Sequence, residues 1–141
     1  DIKVVTHSLM NQVASNPQIL QEITPRQFEE LVCELFEKEG NHVELTKQTR
    51  DGGKDLIILN NSSLGDFVIY AECKKRAPKY PVNVGFVREL YGTVNADNAT
   101  AGIMVTTSYF SRDARKYREK IKSRMSLIDY TELMKRIMAC K

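Results

Sequence analysis

Several features that would narrow the function at once are missing from this sequence. No apolar run approaches the roughly 20 residues needed to span a bilayer, and no stretch reads as a signal peptide, so no membrane partner is expected. The 3 cysteines have no paired spacing, which argues against a disulfide framework or a zinc site and favours a reducing, cytoplasmic interior. Cys33 and Cys73 sit in apolar periodic stretches, where small buried thiols are the common case. Internal repeats and low-complexity tracts are missing too. Nor is there a strong excess of one charge: 21 Lys+Arg against 18 Asp+Glu leave +3, which decides nothing until the charges are placed. What is present is 141 residues, 42% apolar and 28% charged, enough for one soluble domain with its own core. The first residue is Asp1 rather than Met, which is compatible with a fragment of a longer protein.

The pattern along the chain predicts an ordered series of elements. Residues 1–22 carry a weak helical stripe (Val5, Leu9, Met10, Val13) broken near Asn16-Pro17, read as an appended segment outside the main core, with the domain proper over 23–141. Thr24-Pro-Arg-Gln27 has the form of a helix start: a capping threonine, proline at the first helical position, and glutamine three residues after the cap. Phe28, Leu31, Val32, Leu35 and Phe36 follow at helical spacing and Gly40 ends the run. Glu30 and Glu34 point away from that stripe, whereas Glu29 lies on its edge, where a carboxylate can face a neighbouring sheet. Strand-like runs follow over 42–47, 54–60 and 67–74, the first two joined by Asp51-Gly-Gly. A proline-bearing loop, Ala77 to Pro81, leads to a helix with Val84, Val87, Leu90, Tyr91 and Val94 on one stripe. Ala101 to Thr107 reads as a buried strand. A third helix is expected from Ser111, with Ala114, Tyr117, Ile121 and Met125 on its stripe. Ser126 to Tyr130 reads as a short strand, and Thr131 as the cap of a last helix. The core order α-β-β-β-α-β, then α-β-α, predicts an α/β (α+β) mixed sheet flanked by helices.

Chemistry concentrates in Asp51-Gly-Gly-Lys-Asp55 and Glu72-Cys-Lys74. In an extended strand Glu72 and Lys74 project the same way, about 6.6 Å apart. If the strands around the 60–66 loop pair antiparallel, the midpoint of positions 55 and 72 falls between Ser63 and Leu64, inside the one turn-rich stretch available. That register sets Asp55 nearly opposite Glu72, on strands about 4.8 Å apart. Two carboxylates so placed can share a divalent cation, and a lysine beside them can orient a water or take its proton. The bland reading of Glu72-x-Lys74 is a cross-strand ion pair on a solvated face. Val68 and Tyr70, on the same parity, make such a face less plausible.

Taken together, the order of elements and Asp55…Glu72-x-Lys74 resemble the PD-(D/E)xK nuclease superfamily, and within it the Mrr-type restriction endonucleases. Further matches are Phe28-Glu29, Gly40, Glu72-Cys-Lys-Lys-Arg76, Val87-Arg-Glu-Leu-Tyr-Gly92, Gly102-Ile-Met-Val-Thr-Thr107, Phe110-Ser…Ala114 and Leu127-Ile-Asp129. The resemblance implies a restriction-endonuclease-like αβββαβ core and a Mg²⁺-dependent deoxyribonuclease of the prokaryotic cytoplasm, with Mn²⁺ as a possible substitute. It implies Asp55 and Glu72 as metal ligands with the backbone carbonyl of Cys73, Lys74 as the catalytic lysine, and Glu29 as an accessory acid. Many Mrr-type chains have glutamine where this one has Glu72; the glutamate matches the wider superfamily. DNA is the implied partner, with a separate recognition domain in a longer chain, and a homodimer if both strands are cut.

Some residues keep two readings. Glu29 is also well placed as a surface charge near a helix N-terminus, and Asp51-Gly52-Gly53 serves as a turn. Seven basic residues lie between Arg112 and Arg124, among them Arg112, Arg115 and Lys116; they form either a solvated face or a phosphate-facing one. Lys47, Arg50, Lys54, Lys75, Arg76 and Lys79 cluster around the proposed site in sequence and would meet approaching DNA. Thr106 and Thr107 could touch a phosphate or cap a turn, and His7 and His42 have no partner pattern. The rival functions are a structure-selective nuclease of the junction-resolvase kind, a DNA-binding module that does not cut, and a purely structural domain.

Overall fold

The computed structural model describes residues 8–46 and 53–140. Two short helices, α1 (Leu9–Ser15) and α2 (Ile19–Glu22), precede α3 (Pro25–Lys38). Thr24 caps α3 with both halves of a capping box, its hydroxyl accepting from the Gln27 amide while the Gln27 side chain accepts from the Thr24 amide. Then come β1 (His42–Leu45), β2 (Leu56–Ser62), β3 (Gly65–Lys74), α4 (Val84–Ala96), β4 (Ala101–Thr106), α5 (Arg112–Lys120), β5 (Met125–Ile128) and α6 (Tyr130–Ala139).

The five strands form one sheet in the order β1-β2-β3-β4-β5. β1, β2 and β3 are an antiparallel meander, and β4 and β5 join parallel to their neighbours. This is the mixed sheet expected from an αβββαβ order, because each parallel strand is reached through a helix. In β2 and β3, Leu56 pairs with Ala71 and Ser62 with Gly65, so the hairpin turns at Ser63-Leu64, as the midpoint argument requires. Gly65 has φ +132, a conformation open to glycine and strained for other residues.

Side-chain alternation gives the sheet two packed faces. Ile58, Ala71, Val105 and Ile128 meet α1, α2, α3 and α6 on one side, whereas Tyr70, Met104 and Met125 meet α4 and α5 on the other. Burial on both faces explains the nearly continuous apolar run of β4.

Three expectations are corrected. Residues 8–22 do not lie outside the core: Met10, Val13 and Leu20 are completely buried in the cluster that holds Phe28 and Leu35. α5 stops at Lys120, so Met125 is not on its stripe but starts β5, where its side chain is buried. A helix continued past Ile121 would leave too little chain to return to β4 for pairing. Finally, α6 is capped by Asp129 rather than Thr131, the carboxylate accepting from the Glu132 amide.

At Gly102 β4 lies against Leu90 and Val94 of α4 with no room for a side chain. A Cβ there would lie 2.7 Å from Met125 Sδ and 3.0 Å from Val94 Cγ2. Gly102→Ala is therefore expected to lower stability by about 1–3 kcal/mol through overpacking, measured by denaturant unfolding; an unchanged midpoint would show that Met125 repacks freely.

Candidate active site

Asp55 immediately precedes β2, and backbone bonds fix it from both sides. Its amide donates to the Ala71 carbonyl at 2.8 Å, and its carbonyl accepts from the Thr46 amide at 3.0 Å. The Thr46 hydroxyl also bonds the Lys54 and Asp55 carbonyls. Continuing the β2–β3 register by one step sets Asp55 opposite Glu72. The Asp55 carboxylate accepts from the Cys73 amide at 2.8 Å, which holds it against the strand that carries Glu72 and Lys74.

Glu72 and Lys74 share the sheet face covered by α4, and the Lys74 ammonium lies 2.8 Å from the Glu72 carboxylate. Burial pushes Glu72 above the ordinary carboxylate range; Lys74 opposes this, while Asp55 and Glu89 add to it. The Lys74 ammonium also sits 4.3 Å from the centre of the Phe86 ring, and the Arg76 guanidinium lies 5.6 Å from the same ring. Phe86, in the first turn of α4, is thus a platform for two cations. The buried Arg76 Nε has no hydrogen-bond partner among the described residues.

Glu29 approaches from α3, on the opposite face. It is 8% exposed, and Arg26 bridges it at 2.9 Å while also donating to the Thr46 carbonyl. Burial raises its pKa, Arg26 opposes the rise, and the charge of Asp55 and a hydrogen bond with it add to the rise. Asp55 therefore acts on both Glu29 and Glu72, through the end of the sheet rather than across one face.

Residues 20–137 match the profile of a family described as restriction endonuclease (Mrr_cat). The chain belongs to this family. Among curated proteins it is 27% identical over 115 residues to the uncharacterized protein y4cE of Sinorhizobium fredii (strain NBRC 101917 / NGR234), covering 80% of this chain and 29% of that one. Its fold is similar to that of the DNA modification-dependent restriction endonuclease AspBHI, with a TM-score of 0.73 and 20% identity, covering 98% of this chain and 37% of the other. It is also similar to the MspJI restriction endonuclease solved in complex with a 27-mer oligonucleotide, with a TM-score of 0.64 and 22% identity, covering 94% and 32% of the two chains. The chain thus spans about a third of the length of each of these proteins.

In this restriction-endonuclease domain the donor set near Asp55 is hard: two carboxylates and, at Cys73, a backbone carbonyl. Among the described residues no three of His, Cys, Asp and Glu are gathered as a ready-made cage. Mg²⁺ fits such a site, because it is usually held by one or two carboxylates with water and substrate phosphate completing the shell. Burial, with the charges of Asp55, Glu29 and Glu72, raises the Cys73 thiol far above its ordinary range, so that sulfur stays a neutral packing group.

The basic residues divide by their engagements. Lys54 pairs with Asp97 at 3.6 Å over the Tyr70 ring, and Lys75 donates to the Gln21 carbonyl. Arg112, Arg115 and Lys116 are exposed on the first turns of α5, at the end of the sheet where β4 finishes. Arg124 is used structurally, bonding the Ala99 and Thr100 carbonyls, and Arg118 bonds the Met125 carbonyl. Thr106 and Thr107 are buried, their hydroxyls donating to the Lys74 and Arg76 carbonyls. Lys47, Arg50 and Asp51-Gly52 lie outside the described residues, as do Val5 and His7. Sequence reading missed Arg26 and Phe86. The spacing of Arg26 and Glu29 on one helix could have revealed the first; nothing local links position 86 to 74.

The pKa of Glu29 is raised in the folded state, so ionising it costs the native protein more than the unfolded chain. Below the ordinary value of 4.5 both states are protonated and Glu29 contributes no pH dependence. As pH rises through the window between the ordinary and raised values, its penalty appears and then persists. Glu29→Gln should therefore gain stability relative to wild type as the pH is raised above the ordinary value of 4.5, followed by thermal unfolding at each pH. A pH-independent difference would contradict the raised value.

Proposed function

We propose that this domain is a Mg²⁺-dependent DNA endonuclease, the cutting unit of an Mrr-like restriction enzyme. The observation that carries the reading is Asp55 fastened by its own carboxylate to the strand of Glu72 and Lys74, with the Lys74 ammonium in contact with Glu72. Asp55, Glu72 and the Cys73 carbonyl would hold Mg²⁺, with Mn²⁺ as a substitute. When bound, the ion supplies an acidified water and neutralises charge on the phosphate.

The side chains divide the remaining work. Glu72 and the face of Phe86 both attract a cationic head group, so Lys74 acts as a fixed donor toward the attacking water or the phosphate oxygens. Arg76, on the same ring, offers donors to an adjacent phosphate, and Lys54, Lys75, Arg112, Arg115 and Lys116 supply the wider positive field. Glu29, tethered by Arg26, adds a carboxylate behind Asp55. Cutting both strands with one site per chain calls for two copies, and choice of target is left to a separate domain, in keeping with a chain about a third as long as its relatives.

With supercoiled plasmid, nicking by the wild type should need Mg²⁺ and stop with EDTA. Asp55→Ala and Lys74→Ala should each lower the rate on the order of a hundredfold or more. Unchanged cleavage in both variants rules out this site, and salt-sensitive binding without metal-dependent cleavage identifies a non-cutting module. Phe86→Leu should lower kcat several-fold, as expected for loss of a partly exposed cation–π contact, while Phe86→Tyr retains it. Equal rates in both Phe86 variants would mean the ring acts only by bulk.

A further inference from the structure

A cleft of about 430 Å³, distinct from the proposed metal site, opens where β4 and β5 run out. Its walls are Pro17, Gln18 and Gln21, the segment Thr107–Tyr109 after β4, and Asp129–Thr131 at the start of α6. The region outside the carboxyl ends of parallel strands is where α/β sheets place ligands, and the volume is that of a small-molecule site.

This cleft is connected to the strand end that carries Lys74. β4 pairs in register with β3, Lys74 opposite Thr106, so the cleft begins at the sheet edge where Glu72 and Lys74 sit. The Thr107 hydroxyl, on the cleft wall, both accepts from the Arg76 amide and donates to the Arg76 carbonyl. Lys75 reaches the same wall, donating to the carbonyl of Gln21 at 3.2 Å. β4 and β5 lie about 5 and 10 Å from β3, a distance two or three nucleotides can cover.

The lining has unused recognition groups. Tyr109 and Tyr130 are 44% and 37% exposed, and neither ring has an aromatic partner among the described residues. The side-chain amides of Gln18 and Gln21 likewise have no hydrogen-bond partner among the described residues. Exposed rings beside free amides suit a flat, π-faced group with polar edges. The cations of the adjoining segment, Lys75 and Arg76, would hold the phosphates to which such a group is attached.

We propose that the cleft receives the base of an unpaired nucleotide next to the cut, stacked on Tyr109 or Tyr130 and hydrogen-bonded by Gln18 or Gln21. This rests on the nuclease reading and adds a substrate preference to it. A paired base remains inside its duplex and cannot enter without being extruded. The cleft therefore adds affinity for single-stranded, gapped or distorted DNA that a continuous duplex does not gain from it.

The test measures binding of fluorescein-labelled oligothymidylate and of a hairpin duplex by anisotropy in EDTA, so that cleavage plays no part. The Tyr109→Ala/Tyr130→Ala double variant should bind the single strand about tenfold more weakly and the duplex with little change, whereas Tyr109→Phe/Tyr130→Phe should match wild type on both. Single-strand affinity that is unchanged, or that falls in step with duplex affinity in a folded double variant, overturns the proposal. A measurement on wild type alone guards against misfolding: 2-aminopurine within oligothymidylate should lose fluorescence on binding, and an unchanged signal also overturns it. Wild type that fails to bind the single strand, whether or not it binds duplex, defeats the cleft, while the nuclease reading is decided separately by plasmid nicking with Mg²⁺.

Discussion

The pairing of Asp55 with β3 is the constraint on which the rest of the site depends. Its amide and carbonyl are held in the β1–β2–β3 meander, and its carboxylate caps the Cys73 amide. A side chain anchored by its own backbone ladder has little freedom left to lose, so its geometry toward Glu72 is established when the sheet forms. A one-residue slip of the β2–β3 hairpin would exchange the faces of the strand and move Glu72 and Lys74 into the cluster around Phe28. Burial of both faces excludes that slip, because Tyr70 and Ala71 each fit only their own side. Core packing thus defines the register, and the register defines the site.

All the polar machinery lies at one end of the sheet. Antiparallel β2 begins where β3 and the parallel strands β4 and β5 end, so Asp55, Glu72, Lys74, Thr106 and Asp129 are brought to a common edge from distant parts of the chain. The Thr106 and Thr107 hydroxyls fasten the segment after β3 to the end of β4, which makes the threonines supports of that edge rather than contacts with a substrate. α5 leaves this edge with Arg112 and finishes eight residues later at Lys120, about 12 Å away at 1.5 Å per residue. A basic run that is continuous in sequence is therefore divided in space, with only its first part near the proposed cut.

Much of this was legible from the chain because the signals were local and mutually consistent. The Thr24–Gln27 box, the turn-rich stretch between 60 and 66, and the two-period alternation of β3 each constrain neighbours in sequence. Where reading failed, the deciding interaction was tertiary. Ile121 and Met125 continue a helical stripe, yet pairing of Met125 beside Gly102 prevails over the helical period. Met10 and Val13 look too sparse for a core element, but α3 and α6 offer them a completed cavity. Phe86 was invisible because its partners lie across a loop, and an aromatic residue in an amphipathic helix ordinarily signals packing.

The site is also where the domain departs from the rules its scaffold obeys. Elsewhere among the described residues, buried side chains are apolar or hydrogen-bonded; here Glu29 and Glu72 are held above the ordinary carboxylate range, and Arg76 Nε is buried with no partner among those residues. Buried groups in that condition reduce stability, and a fold retains them only if the surrounding packing over-determines their positions. The capped α3 on one face and α4 on the other supply that packing. The imbalance is of a particular kind: three carboxylates act on one another through Asp55, and their cations are placed at the periphery, Arg26 behind and Lys74 to the side. A divalent cation between Asp55 and Glu72 would relieve the repulsion that burial imposes, so the same burial that costs stability favours a hard ion there.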